Sequence, residues 1–257
     1  MYALATRPDI DAVRSANVLK GRPPEQVGSV VTTPTRIPLV YDWSRLPPEL
    51  SPRAVFALMD TLLSLGPFGF RGPAASTVPD HLTQHDSTCD VRTTQVIAPG
   101  YRCPSNAFLA SCLQRTQGDV LYITSANRSH HLTGAAEEPA HYRADGLADE
   151  FPSDFMLLRH RDEAHARSRN PLHSPMSTTL IGFHRTAGRD TEGRVRLLVE
   201  RHGSLPFADA RRIVRPLGID LVLGPTAQAR LPQREYRAVG KRTNWNPIQV
   251  GDPSLRR

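Results

Sequence analysis

The sequence predicts an α/β fold, with short strands and amphipathic helices alternating around one core. Three observations carry this expectation. Short apolar, β-prone runs recur between segments whose apolar residues keep helical spacing. The stretch from Gln95 to Ile123 reads as strand, turn, helix, turn, strand, a unit that implies a mostly parallel neighbourhood. Finally, 257 residues at 39% hydrophobic composition suffice to bury a large core, which gives a single domain over 1–223 and a C-terminal extension over 224–257.

Ile10, Val13, Ala16 and Leu19 follow helical spacing, Pro8 suits the first turn, and Gly21 suits the C-terminal cap. Lys20 and Arg22 then fall in a glycine-opened loop, where two cations either converge on one anion or form a solvated basic helix end. Ser29 to Thr33 and Ile37 to Tyr41 are β-prone runs separated by proline. Ser51-Pro52 opens a strong helix with Val55, Leu58, Met59, Leu62 and Leu65 on one face and Gly66 at its end. The segment Gly66 to Pro73 is turn-rich, and without a following Gly-Lys-Ser/Thr it is no Walker loop.

Gln95 to Ala98 predicts a strand, Ser105 a helix cap, Phe108, Leu109, Cys112 and Leu113 a helix, and Gly118 its end. The strand Val120 to Ile123 follows. Arg102 is then expected on the same rim of the sheet as Ser125. Phe155 to Leu158, Thr179 to Phe183 and Val195 to Val199 are further strand candidates, Phe207 to Val214 a helix, and Ile219 to Leu223 the closing strand. His160 to Ser174 reads as a polar, mobile loop. From Gly224 onward, prolines, glutamines and arginines replace periodic apolar patterning, so the tail with Trp245 is expected to be surface-packed or partly disordered.

The formal charge is +7, and Lys20 and Lys241 are the two lysines among 32 basic residues. A surplus carried by guanidinium favours phosphate-bearing partners, because arginine offers planar bidentate donors, although general basicity gives the same composition. Aromatic residues make up 6%, which does not indicate a base-stacking platform. Cys89, Cys103 and Cys112 lack Cys-x-x-Cys spacing and read as reduced thiols. The ten histidines show no His-Glu-x-x-His pattern, and no Gly-x-Ser-x-Gly elbow is present, which disfavours a zinc site or a serine hydrolase. No apolar run approaches the roughly 18 residues of a membrane helix and no leader is evident, so a soluble, cytoplasmic protein is expected.

The most informative stretch is Asp119-Val-Leu-Tyr-Ile-Thr-Ser-Ala-Asn127. An apolar strand ends abruptly in small polar side chains, the composition of a binding edge in open α/β sheets, or of a simple Asx or Ser turn. Together with Lys20-Gly21-Arg22-Pro23 it resembles the YrdC/Sua5 family of threonylcarbamoyl-adenylate synthases. Tyr2-Ala3-Leu4, Lys20-Gly21-Arg22-Pro23, Arg102-Cys103-Pro104, Thr124-Ser125-Ala126-Asn127-Arg128-Ser129, Ser177-Thr178 and Arg201-His202-Gly203 follow the order of that family's pattern. His130 stands where the family has glycine, Glu25-Gln26-Val27-Gly28 replaces a further Lys-Pro, and no Pro-Thr-x-Thr strand precedes Tyr2.

The resemblance implies a single YrdC-like domain, an open twisted mixed sheet flanked by helices, with a concave basic face suited to double-stranded RNA or transfer RNA. It implies ATP as substrate, with magnesium carried on the nucleotide, and L-threonine and bicarbonate as co-substrates. Lys20 and Arg22 take the catalytic role and, with Arg102, Ser125, Asn127 and Arg201, bind ATP. Tyr2, Ser177 and Thr178 face the amino acid. The missing strand implies one sheet strand and one threonine-side contact fewer. It also leaves a second reading open, a domain that binds nucleotide or RNA without catalysis.

Overall fold

A computed structural model describes residues 1–129, 138–151 and 156–236, together with the backbone of 248–249. Its elements are β1 (Ala3–Thr6), α1 (Ile10–Lys20), β2 (Ser29–Val31), α2 (Pro52–Leu65), β3 (Phe68–Pro73), β4 (Gln84–Asp86), β5 (Val91–Ala98), α3 (Ser105–Thr116) and β6 (Leu121–Ser125). There follow α4 (Ala144–Glu150), β7 (Leu158–Arg159), α5 (Glu163–Ser168), β8 (Leu180–Gly182), β9 (Val195–Arg201), α6 (Phe207–Val214), β10 (Ile219–Leu223) and β11 (Ile248–Gln249).

Among the described residues nine strands form one open, mixed sheet in the order β1-β6-β2-β5-β3-β8-β9-β10, with β4 on the first residues of β5. Alternation along the strands gives the sheet two faces. Val30, Tyr122, Val96, Phe68, Phe70, Ile181 and Val199 point into the main core with the apolar stripes of α2 and α6. On the other face α3 covers one end, where Leu109 and Leu113 pack on Val31 and Leu121. The remainder of that face, around Ser29, Arg71, Gln95 and Ile123, lines a cleft.

The helices form as their sequences dictate. Asp9 accepts from Ala12 N at the start of α1, and Gly21 ends it at φ 76°, a left-handed value that glycine adopts without steric cost. Ser51 and Pro52 start α2, whose Val55, Leu58, Met59, Leu62 and Leu63 are buried, each contributing about 1.5–3 kcal/mol as an upper estimate. In α3 the Ser105 hydroxyl meets Cys103 Sγ at 3.1 Å instead of capping, and left-handed Gln117 ends the helix one residue before Gly118.

Four expectations are corrected. Ile37–Tyr41 is not a strand, because Pro34 opens and Pro38 lies inside a 3-10 turn over Pro34–Leu39, leaving Tyr41 a lone bridge to Ala74. Gly66–Pro73 is a turn only at its start: β3 runs through its centre between β5 and β8. A side chain at Gly72 would lie 2.0 Å from the Phe183 ring, so glycine at this site reports close packing instead of a bend. The interval His160–Ser174 contains α5, capped by Asp162 accepting from His165 N. Most consequentially, β5, α3 and β6 are not a parallel crossover: β2 lies between the two strands, parallel to β5 and antiparallel to β6.

The three cysteines are free thiols. Of the tail, residues 224–236 lie on the domain: Ala227 is fully buried, and Arg230 donates to Gly203 O and Ser204 O. The Tyr236 hydroxyl accepts from Tyr142 N at 2.9 Å and Arg143 N at 3.2 Å. Of the candidate strand Phe155 to Leu158, Phe155 lies outside the described residues and Leu158 belongs to β7, which pairs with β11 in a separate parallel ladder. His130, Lys241 and Trp245 also lie outside the described residues.

Candidate functional site

The site is built where the end of α1 meets the end of β6. Gly21 turns the chain so that Lys20 and Arg22 diverge, and Ser129 N donates to Lys20 O at 2.7 Å, tying the basic loop to the segment after β6. Lys20 is fully buried. Its ammonium donates to Thr124 Oγ1 at 3.1 Å, Ser125 O at 2.5 Å and Ser125 Oγ at 3.3 Å, with Asn127 Oδ1 at 3.4 Å. Ser125 Oγ in turn donates to Asn127 Oδ1 at 2.6 Å. Lys20 and Asn127 therefore share one polar knot, which sits behind the cleft wall and braces it.

Arg22 is the residue of that loop that faces the cleft, and Nη1 donates to Thr124 Oγ1 at 2.8 Å. Ser125, Ser177 and Arg201 line the same cleft. Arg201 ends β9, where its Nε donates to Thr178 O at 2.7 Å and Nη2 to Thr178 Oγ1 at 2.9 Å, so buried Thr178 orients the guanidinium from behind. Burial lowers Arg201 to about 10, and the nearby charges of Arg71 and Arg22 push the same way. Gly203 is required here by contact, since a side chain there would sit 2.2 Å from Ser177 O.

Two expected members are elsewhere. Arg102 follows β5, whose carboxyl end lies beside the amino end of β6 because the strands run in opposite senses. It is exposed on the far rim, beside α3, and does not line the cleft. Tyr2 turns away to pack with Ala126 and Leu147, and its hydroxyl donates to Glu163 Oε1. Burial first, and then that carboxylate, raises its pKa. Met1 and Ala3, its neighbours, line the cleft instead.

Sequence reasoning missed Asn17, Arg71 and Gln95. Asn17 is buried on the α1 stripe, donating to Pro24 O and Gln26 O at 2.9 Å each and accepting from Tyr122 at 2.7 Å, so it holds the basic loop in shape. A polar residue at the i+4 position from Val13 on an apolar face was the available signal. Arg71 lies on the cleft floor, 3.1 Å from Glu200 Oε2 and 3.3 Å from Gln95 Oε1. Nothing in the glycine-rich context of Arg71 announced a strand.

Among the described residues no carboxylate lines the cleft, and neither Arg22 nor Arg201 has one within 4.0 Å. The cleft is thus lined by guanidinium groups of a kind suited to an anion, with no acidic side chain among the described lining residues to hold a metal ion. Asp86, Cys89 and His184 offer ligand atoms within 4.8 Å of one another. Arg185 occupies Asp86 Oδ2 at 3.3 Å, however, and Thr88 holds Oδ1, so this group reads as an ion-pair hub. Arg211, Arg212 and Arg215, which crowd one segment of the sequence, are each paired, with Asp220, Asp209 and Glu192 respectively.

No helix among the described residues is long and apolar enough to cross a membrane. Neither a protein-family model nor a curated protein matches the chain. Among solved structures it is similar to a hypothetical protein, smu.1377c, from Streptococcus mutans UA159, at 13% identity over 87% of this chain and 86% of that one, with a TM-score of 0.52. It also aligns with P. abyssi Sua5 complexed with L-threonine, at 14% identity over 91% of this chain and 58% of that one, with a TM-score of 0.46. The open mixed α/β fold is accordingly shared with smu.1377c, and it places the ends of β6 and β9 around one cationic cleft.

Proposed function

We propose that the cleft binds ATP beside a carbamoylated amino acid and joins them, as a threonylcarbamoyl-adenylate synthase-like nucleotidyltransferase does. One observation carries the reading: Arg22 and Arg201, from opposite ends of the domain, line one cleft with Thr124 and Ser125 and meet no carboxylate there. The ordered motifs of the sequence support it. In the reaction, amino-acid nitrogen and bicarbonate first give a carbamate with loss of water; a carbamate oxygen then attacks the α-phosphorus, and pyrophosphate departs with the electrons of the broken P–O bond. No general base is needed once the carbamate exists. The chain's task is to hold two anions together and stabilise charge gathering on phosphate oxygens.

In this reading Arg22 and Ser125 contact phosphate, Arg201 and Ser177 the amino acid, and Lys20 and Asn127 hold the wall. With threonine as the amino acid, the product would feed N6-threonylcarbamoyl-adenosine formation in transfer RNA, with RNA as a partner. Pyrophosphate release that requires ATP, bicarbonate and an amino acid together is the expected result, threonine being the first one tried. ATP binding with no pyrophosphate release from any amino acid would replace the enzyme with a nucleotide-binding domain.

A further inference from the structure

Arg71 is the cleft residue that the motifs leave unexplained. It sits at the middle of β3 with its side chain on the cleft floor. In the order β6-β2-β5-β3 it lies three strands from β6, roughly 14 Å at about 4.8 Å per strand. Cationic groups therefore stand at two ends of the cleft, Arg22 with Thr124 at one, Arg71 with Arg201 at the other.

The Arg71 guanidinium is held in place yet keeps donors to offer. Gln95 accepts from Nη2 at 3.3 Å. Glu200 Oε2 lies 3.1 Å from Nε but off the line of its N–H, so Nε has no aligned acceptor. No hydrogen bond from Nη1 is formed among the described residues. Glu200 thus acts as a fixed counter-ion that keeps the planar fork on the floor, and Gln84, Thr93 and Gln95 surround it with neutral polar groups.

Charge defines what such a fork would meet. In the proposed reaction the carbamate belongs with the α-phosphorus at the Arg22 end, which leaves the α-carboxylate of the amino acid for Arg201. A second guanidinium beside it, pre-positioned for bidentate contact, matches a second carboxylate.

We propose that Arg71 recognises the side-chain carboxylate of an acidic amino acid, so that the cleft selects aspartate or glutamate over threonine. The inference rests on the amino-acid-binding reading of this cleft.

Calorimetric titration of the full chain with L-aspartate, L-glutamate, L-threonine and, separately, ATP tests it. The expected result is a dicarboxylate bound at least tenfold more tightly than threonine, with that ratio falling to near one in Arg71→Gln. Glu200→Gln, which removes the competing counter-ion, should raise dicarboxylate affinity several-fold, and this holds the test open should Arg71→Gln fold poorly. Threonine bound as well as or better than both dicarboxylates overturns the inference while leaving the nucleotide reading intact. Dicarboxylate selectivity without any ATP binding supports the inference and removes the nucleotidyltransfer reading. Loss of all affinities in equal proportion in a folded Arg71→Gln also overturns it.

Discussion

Lys20 Nζ lies 3.1 Å from Thr124 Oγ1, joining the last residue of the first helix to the end of a strand on the far side of the sequence. The ammonium is fully buried among oxygen acceptors, whereas Arg22, two residues on, opens to the cleft. One basic loop thus supplies a brace and a ligand-facing cation.

Lys20→Met removes that brace and its charged hydrogen bonds, although Thr124 Oγ1 keeps Arg22 Nη1 and Ser125 O keeps Asn127 N as donors. Unfolding free energy should fall by about 1.5–3 kcal/mol, the range for hydrogen bonds to a charged group. Urea denaturation followed by circular dichroism measures it, and a change under about 0.5 kcal/mol would mean that the ammonium is not buried.

Arg22 and Arg102 lie on opposite rims, and their substitutions separate cleanly. Arg22→Gln should weaken ATP binding by about 1–3 kcal/mol, the range for a charged contact to phosphate. Arg102→Gln should leave the affinity within about twofold, which is within ordinary scatter for a distant surface change. Calorimetric titration of both variants decides; equal losses would contradict the antiparallel placement of β5 and β6.

His173 predicts an acid limb to stability. Burial, with a smaller push from the chain's amino terminus, lowers it from 6.5 to about 4. The folded protein keeps the ring neutral while the unfolded chain takes a proton first. The contribution is complete above pH 6.5 and is lost as pH falls toward 4, by an amount on the order of 2 kcal/mol. Denaturation midpoints taken across that window should decline in the parent chain and less steeply in His173→Gln.

Gly203→Ala would place a methyl group 2.2 Å from Ser177 O. Backbone must shift, and with it the Thr178 acceptors of Arg201. A stability loss of about 2 kcal/mol or more is expected, together with weaker ligand binding. Thermal unfolding with and without ATP reads both effects.

Tyr236→Phe tests the strap formed by the tail. Its hydroxyl accepts from two backbone amides and meets His141 Nδ1 at 3.1 Å. Losing it should cost about 1–2 kcal/mol in urea denaturation. A neutral result would mean that the tail does not contribute to the fold's stability.

Local chemistry made much of the fold legible. Helix α6 matches its expected bounds, α2 starts at Ser51-Pro52 and stops before Gly66, and α1 stops at Gly21 but starts behind Asp9, so Pro8 precedes the helix and is not in its first turn. Strands with strong apolar runs, β6, β9 and β10, were readable for the same reason. Strand β3 was not, because its glycines signal turns in isolation and close packing in a sheet; only the Phe183 ring above Gly72 distinguishes the two. Within the site, the small polar end of β6 and the basic loop after α1 announced themselves by composition. Asn17, Arg71 and Gln95 did not, since each is a single polar residue whose meaning depends on what lies across the sheet.

By itself the sequence determined where α2 and α6 begin and end, which strands are apolar, and which small polar and basic residues are suited to hold an anion. Those are properties of side chains and their near neighbours. The tertiary structure alone decided strand direction and order, and so which residues meet. Because β2 inserts antiparallel to β6, Arg102 is carried to the opposite rim while Arg71 and Arg201 come to the cleft. Such pairing is set by burial of both sheet faces across long sequence separations, which no local pattern encodes.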